Sequence, residues 1–245
     1  MRFIFRRDNL LIDVTGTRAE LDALRPHIAK MTEGLYDGEV EKEEVKLVPE
    51  KKNEGFTYPG QVQYVCRAGS YAKGGLEYTG ALNVLRTILS YGYLWNEVRV
   101  KGGAYGCMTR FMAHGEGYFV SYRDPHLKNT VGIFEKVAQN IREFTASEKD
   151  MTRYIIGTLS DLDTPLSPRA KGTRSQQIWL EGESREHLQM YRDQVLDADQ
   201  ESIRALAEYV EAFISDGALC VVGNEEKLKA ESGMFGTVLP LLTQR

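Results

Sequence analysis

Hydrophobic and polar positions along this chain switch between a period near two and a period near three and a half. The change-overs mark its elements. Phe3 to Arg6 and Leu10 to Thr15 are short apolar runs on either side of Asp8-Asn9, which predicts a hairpin. Thr17 with Glu20 has the spacing of a capping box, and Leu21, Leu24, Ile28 and Met31 carry a helical stripe onward despite Pro26. From Gly34 to Pro59 Glu and Lys dominate, so residues 34–59 are expected to form an exposed or disordered loop, with a short helix around Glu41 to Val45 as the alternative. Gln61 to Ala68 alternates as a strand does, with Val62, Tyr64, Cys66 and Ala68 on one face, and Gly74-Gly75 ends that unit. Tyr78 to Leu94 carries Leu82, Leu85, Leu89 and Tyr93 in one stripe, widened by Val84, Ile88 and Tyr91. Such a helix is apolar nearly all round and belongs in a core.

The second half repeats these signals. Cys107 to Ala113 and Gly117 to Arg123 predict antiparallel strands joined through His114-Gly115-Glu116-Gly117, the second stopped by Asp124-Pro125. Asn129 to Phe144 has helical spacing through Val131, Phe134, Val137, Ala138 and Ile141. Ser147 with Asp150 caps the next helix. Asp161 to Pro168 reads as a loop or as the start of a helix primed by proline, continued by Lys171 to Leu180 with Ile178 and Trp179 as core contacts. Ser184 to Leu196 and Asp199 to Ile214 are two more, the latter turning Ile203, Leu206, Ala207, Val210, Phe213 and Ile214 inward. Ala218 to Gly223 is a continuous apolar run of the kind buried within a sheet, and Asn224 caps a short helix. Hairpins beside helix pairs give the α+β class: a mixed, largely antiparallel sheet with helices packed on one face. Residues 1–245 read as a single module.

Composition narrows the field. With 42% apolar and 27% charged residues the chain is an ordinary folded protein, and its net charge of -4 argues against nucleic acid as the main partner. No apolar run reaches membrane-spanning length, so no membrane partner is expected. Cys66, Cys107 and Cys220 lie in or beside apolar runs without a close pair, which reads as thiols in a reducing compartment; the expected location is cytoplasmic. The strand pattern starts at Met1 with no leader before it, as a fragment of a longer chain would.

Most familiar chemistries lack their residues. His27, His114, His126 and His187 fall in neither His-Glu-x-x-His nor its inverse, so no metal site is expected. No Gly-x-Ser-x-Gly elbow occurs. Cys107 with His114 across a hairpin is a thiol–imidazole pair for which a packed cysteine is the better reading. The glycines of Lys101 to Gly106 follow a helix, whereas a phosphate loop follows a strand. What remains is the turn itself. Arg99 offers a fork of donors suited to a carboxylate or peptide carbonyl, and Tyr105 stands between Ala104 and Gly106 with a free hydroxyl. Gly102, Gly103 and Gly106 permit close backbone approach. The residues alone leave open the alternative that Tyr105 packs on the sheet and Arg99 is a surface charge.

The stretch Trp95-Asn96-Glu97-Val98-Arg99-Val100-Lys101-Gly102-Gly103-Ala104-Tyr105-Gly106 resembles the C-terminal half of the inverted-zinc-motif peptidases, the pitrilysin and insulin-degrading type. Its Lys-Gly-Gly-Ala-Tyr-Gly form is similar to the presequence-protease branch. Ser121 to Pro125, Asp216-Gly217 and Val221-Val222-Gly223 extend the likeness over most of the chain. In that family four homologous modules form two bowl-like halves that close around an unfolded peptide, and this chain resembles the last module. The resemblance implies that Arg99 and Tyr105 are auxiliary catalytic residues that bind substrate and stabilise the oxyanion, with Arg99, Gly102, Gly103, Ala104 and Tyr105 contacting substrate. The family's zinc ligands and general base are missing from this sequence. The implied partners are the other modules of the same protease, its zinc-bearing N-terminal half, and unfolded peptide. The implied cofactor is none in this chain, with zinc in the full-length protein. The isolated chain is then expected not to cleave peptides. The alternative is a structural or assembly module that keeps the fold without chemistry. An inner face normally covered by other modules could also drive artificial self-association.

Overall fold

The computed structural model describes residues 4–40, 46 and 50–242. In chain order the elements are α1 (Arg18–Glu33), β1 (Glu54–Tyr58), β2 (Gln63–Ser70), α2 (Ala81–Tyr91), a π-helical segment (Trp95–Lys101), β3 (Gly106–Phe111) and β4 (Glu116–Asp124). There follow α3 (Lys128–Glu135), α4 (Val137–Arg142), α5 (Glu148–Leu162), α6 (Pro168–Leu180), α7 (Arg185–Leu196), α8 (Gln200–Ala205), α9 (Ala207–Asp216), β5 (Ala218–Asn224), α10 (Glu225–Ala230) and β6 (Thr237–Pro240). They divide into two compact units, Met1–Pro49 with Thr164–Leu188 and Glu50–Asp163 with Gln189–Arg245.

The first unit holds α1 and α6. Thr17 and Glu20 form the reciprocal capping box that their spacing predicts, and α1 runs through Pro26. The expected hairpin before it does not form among the described residues. Arg7–Asn9 is a single 3-10 turn, and Arg6 bridges to Tyr36. The polar residues decide this: Arg6 bonds Asp8 at 2.6 and 2.7 Å, and the Arg7 Nε donates to the Thr32 carbonyl. Leu10, Leu11, Ile12 and Val14 stay exposed, so strand pairing there would gain no burial. On α6 the expected core residue Trp179 is 67% exposed. The tight contact of that helix is at Gly172, where a Cβ would collide with the Thr15 side chain. The alternative helix at 41–45 lies outside the described residues.

The second unit is built on a six-stranded sheet of order β3-β4-β2-β5-β1-β6. From β3 to β5 neighbours are antiparallel, while β5, β1 and β6 are parallel. The class expected from the pattern is therefore present, with a parallel margin. One expectation needs correction: the charged loop at 34–59 contains β1, which lies inside the sheet. Charged neighbours hide Gly55-Phe56-Thr57-Tyr58, and Gly55 fits closely there, since a Cβ would approach the Leu228 side chain to 3.0 Å. Residues after α10 supply β6 (Thr237–Pro240). The run Asn129 to Phe144 is two helices rather than one, since the chain tightens at Lys136, whose N–H reaches the Ile133 and Phe134 carbonyls.

Register separates the two faces of this sheet. Val65, Phe119, Leu219 and Val221 turn to the covered face and are at most 3% exposed. Helices pack there: Phe119 meets Phe213 at 5.0 Å and Phe134 at 5.5 Å, and Phe111 meets Phe213 at 6.1 Å. Most of α2 is buried, as its apolar stripe requires. Tyr64, Cys66 and Ala68 do share a face, but it is the open one, and the buried face of β2 begins with Gln63 and Val65. β5 is central as expected, although only alternate positions are buried and Cys220 is exposed.

Candidate functional site: the Arg99–Tyr105 turn

The turn leaves the core through a π-helical segment, a wider winding than an α-helix and one often found at working sites. Gly102 follows it, at a position where a Cβ would sit 2.5 Å from the Val98 carbonyl oxygen. Gly103 then takes φ 77°, in the left-handed region that glycine enters without strain. Two backbone bonds close the turn: the Gly103 N–H donates to the Arg99 carbonyl at 2.9 Å, and the Ala104 N–H donates to the Val98 carbonyl at 3.2 Å. Val98 and Ala104 are buried and anchor the turn, while Arg99 and Tyr105 project outward. Ala104 thus presents backbone rather than side chain to any ligand.

Each outward side chain is braced by an aromatic ring. The Arg99 guanidinium lies 4.2 Å from the centre of the Trp95 ring, a cation–π contact one helical turn back. Tyr105 is 66% exposed, and its ring meets Tyr122 edge-on at 5.8 Å. Its N–H donates to the Tyr122 carbonyl at 3.1 Å. Tyr122 in turn meets Tyr64 at 5.4 Å, and Tyr64 meets Tyr58 at 6.1 Å. A row of tyrosines therefore crosses the open face and ends at Tyr105.

Beneath this row a buried polar cluster fixes the end of β4. The Asp124 carboxylate accepts from the His126 N–H at 2.8 Å and from the Thr130 hydroxyl at 2.7 Å. The fully buried Gln63 donates to the Asp124 carbonyl and accepts from the Asn224 N–H at 2.9 Å. The Asp124, Gln63 and Thr130 side chains are out of water, so their bonds are needed to offset desolvation. Motif reading missed Trp95, Tyr122 and Asp124 as supports. Trp95 was within reach, because it lies four residues before Arg99 on a helix. Tyr122 and Asp124 depend on strand register.

The other candidates do not assemble. Cys107 pairs with Ser121, whereas His114 lies at the tip of the hairpin. Burial, and secondarily the charge of Asp124, pushes the Cys107 thiol up to about 12, so it is not poised as a nucleophile. Among the described residues no group of three or more His, Cys, Asp and Glu side chains could hold a metal ion. The described residues do not fit a zinc centre.

The family profile described as PreP C-terminal domain matches residues 53–225. The chain belongs to the PreP C-terminal domain family. Protein HypA of Clostridium perfringens is 38% identical over 235 residues, covering 96% of this chain and 24% of that protein. Presequence protease 1, chloroplastic/mitochondrial, of Arabidopsis thaliana is 29% identical over 240 residues, covering 94% of this chain and 21% of that protein. The chain thus spans under a quarter of the length of these relatives. Among solved structures, pitrilysin superposes with a TM-score of 0.56 at 13% identity, over 84% of this chain and 23% of that one. A peptidase M16 inactive domain from Pseudomonas fluorescens gives 0.56 at 13% identity, over 85% of this chain and 51% of that one. These structural likenesses concern the fold. The inverted zinc motif does not occur in this sequence.

The expected cytoplasmic location is corrected by these comparisons. The presequence proteases it matches are named as mitochondrial, or chloroplastic/mitochondrial, proteins. The expectation rested on free thiols, which report a reducing compartment and do not separate the cytosol from the inside of an organelle.

Proposed function

We propose that this PreP-type domain binds unfolded peptide at the Arg99–Tyr105 turn and supplies both side chains to a zinc site carried by another part of the same protease. The observation that supports this most is the construction of the turn. Val98 and Ala104 are buried, two backbone bonds close the loop, and Arg99 and Tyr105 are left exposed on braced bases. Arg99 anchors and orients a substrate carbonyl or carboxylate through its fixed fork of donors. Tyr105 donates a hydrogen bond to the charge that develops on the carbonyl oxygen under attack. Gly102 and Gly103 let the substrate backbone approach closely. In this reading the metal and the general base come from the partner region, since among the described residues no His, Cys, Asp and Glu side chains gather to provide them.

The test is reconstitution with a zinc-bearing N-terminal half from a presequence protease, in cis or in trans, on a long unstructured peptide. Tyr105→Phe removes one donor and keeps the ring. It should lower kcat by about a hundredfold with little change in KM, in line with loss of one oxyanion contact. Arg99→Lys should raise KM more than it lowers kcat. Undiminished kcat in the phenylalanine variant would remove Tyr105 from the chemistry and favour a purely structural module.

A further inference from the structure

We infer that the outer edge of β3 adds an extended peptide strand, with alternate side chains of that peptide entering the cleft beside it. This inference rests on the peptide-binding reading above and names where the chain of the peptide runs.

The argument starts from hydrogen-bond phase. At the hairpin the Met112 N–H donates to the Glu116 carbonyl, and in the register that follows Arg110 faces Tyr118 and Met108 faces Val120. Hydrogen-bonded pairs alternate along an antiparallel ladder, so Arg110 and Met108 exchange their bonds with β4. Cys107, Thr109 and Phe111 then direct their N–H and C=O groups away from β4. Among the described residues β3 ends the sheet on that side, and no further strand meets those groups. They form a short row of donors and acceptors at the spacing of an extended backbone.

The two edges of the sheet differ. β6, at the far margin, has four residues and includes Pro240, which lacks a donor. β3 has six residues and no proline. Beside β3 lies a cleft of about 350 Å³, bounded by Tyr91, Trp95, Met108 and the Arg86–Asp161 ion pair. Tyr91 is 74% exposed and Met108 50%, so apolar surface stands uncovered next to unpaired backbone. Trp95 is common to the cleft and to the base of Arg99. A strand laid on β3 would place one side chain in the cleft and the next over the open face, and would continue toward Arg99 and Tyr105. Backbone pairing selects an extended chain with little regard to sequence, and the cleft adds a preference for an apolar side chain at alternate positions.

The test uses the chain itself and a soluble unstructured dodecapeptide with leucine at alternate positions. Amide exchange is followed by NMR with and without peptide. The Cys107 and Thr109 amides should exchange about tenfold more slowly when the peptide is bound. Peptides N-methylated at alternate amides provide the second arm. Methylation in one phase should weaken binding by roughly tenfold, and in the other phase by less than about twofold, because only one set of amides faces the edge. Equal losses in both phases, or unaltered exchange at Cys107 and Thr109, would overturn the inference. Protection of those amides that rises with protein concentration and without peptide would also overturn it, assigning the edge to a second copy of the chain. Binding that shifts Arg99 and Tyr105 but leaves β3 unprotected would sink the edge and spare the proposed function. No binding even at millimolar peptide would sink both.

Discussion

The two faces of the sheet are made from the same strands and behave as different materials. On the covered face, Phe119, Val65 and Val221 are fully buried, and rings from two helices close on Phe119. On the open face, one residue away along each strand, tyrosine rings meet in tilted and T-shaped contacts and keep part of their surface in water. Period-two alternation thus gives one side that sets stability and one side that is free to bind. Mutations on the two faces should separate accordingly.

The largest effect is expected from the covered face. Phe119→Ala should cost about 3–5 kcal/mol in urea unfolding, as expected for an aromatic lost from a closed core. A cost near that of a surface change would mean that the two faces are not distinct. Next is the buried carboxylate at the join. Asp124→Ala orphans the His126 N–H and the Thr130 hydroxyl and should cost roughly 2–3 kcal/mol, while Asp124→Asn should recover part of it. On the open face Tyr105→Phe should change stability by less than about 0.5 kcal/mol, and a larger loss would make Tyr105 a packing residue instead of a binding one.

A smaller contrast sharpens the same comparison with thiol chemistry. Cys220 is exposed on the open face, its thiol raised by partial burial and then by the charge of Glu54, while Cys107 is pushed up to about 12 by its burial. Raising a thiol pKa leaves less thiolate at a given pH. At pH 8 alkylation followed by mass spectrometry should therefore modify Cys220 well before Cys107. Equal rates would show that the covered face opens readily.

How far the sequence could take this depends on the range of the interactions that decide each element. Helix starts are local: Thr17 with Glu20 and Ser147 with Asp150 are capped as their spacing suggests. β1 is not local. Its partners are Cys220 to Asn224 and Thr237 to Pro240, far along the chain, and charged neighbours cover its signal. The first hairpin fails for the converse reason, since alternation without burial does not hold a strand pair. At the site, Arg99 and Tyr105 could be named from the motif because glycines mark the turn. The tyrosine row could not, because Tyr58, Tyr64 and Tyr122 come together only through register across three strands.

The stacking of Arg99 on Trp95 also gives the protein its own optical signal. Indole emission responds to a charge held against the ring, and the chain has just two tryptophans, Trp95 and Trp179. In a Trp179→Phe background every photon of indole emission would come from beside Arg99. A carboxylate or carbonyl that draws the guanidinium away would then shift the spectrum, so occupancy of the turn could be followed in real time without attaching a dye.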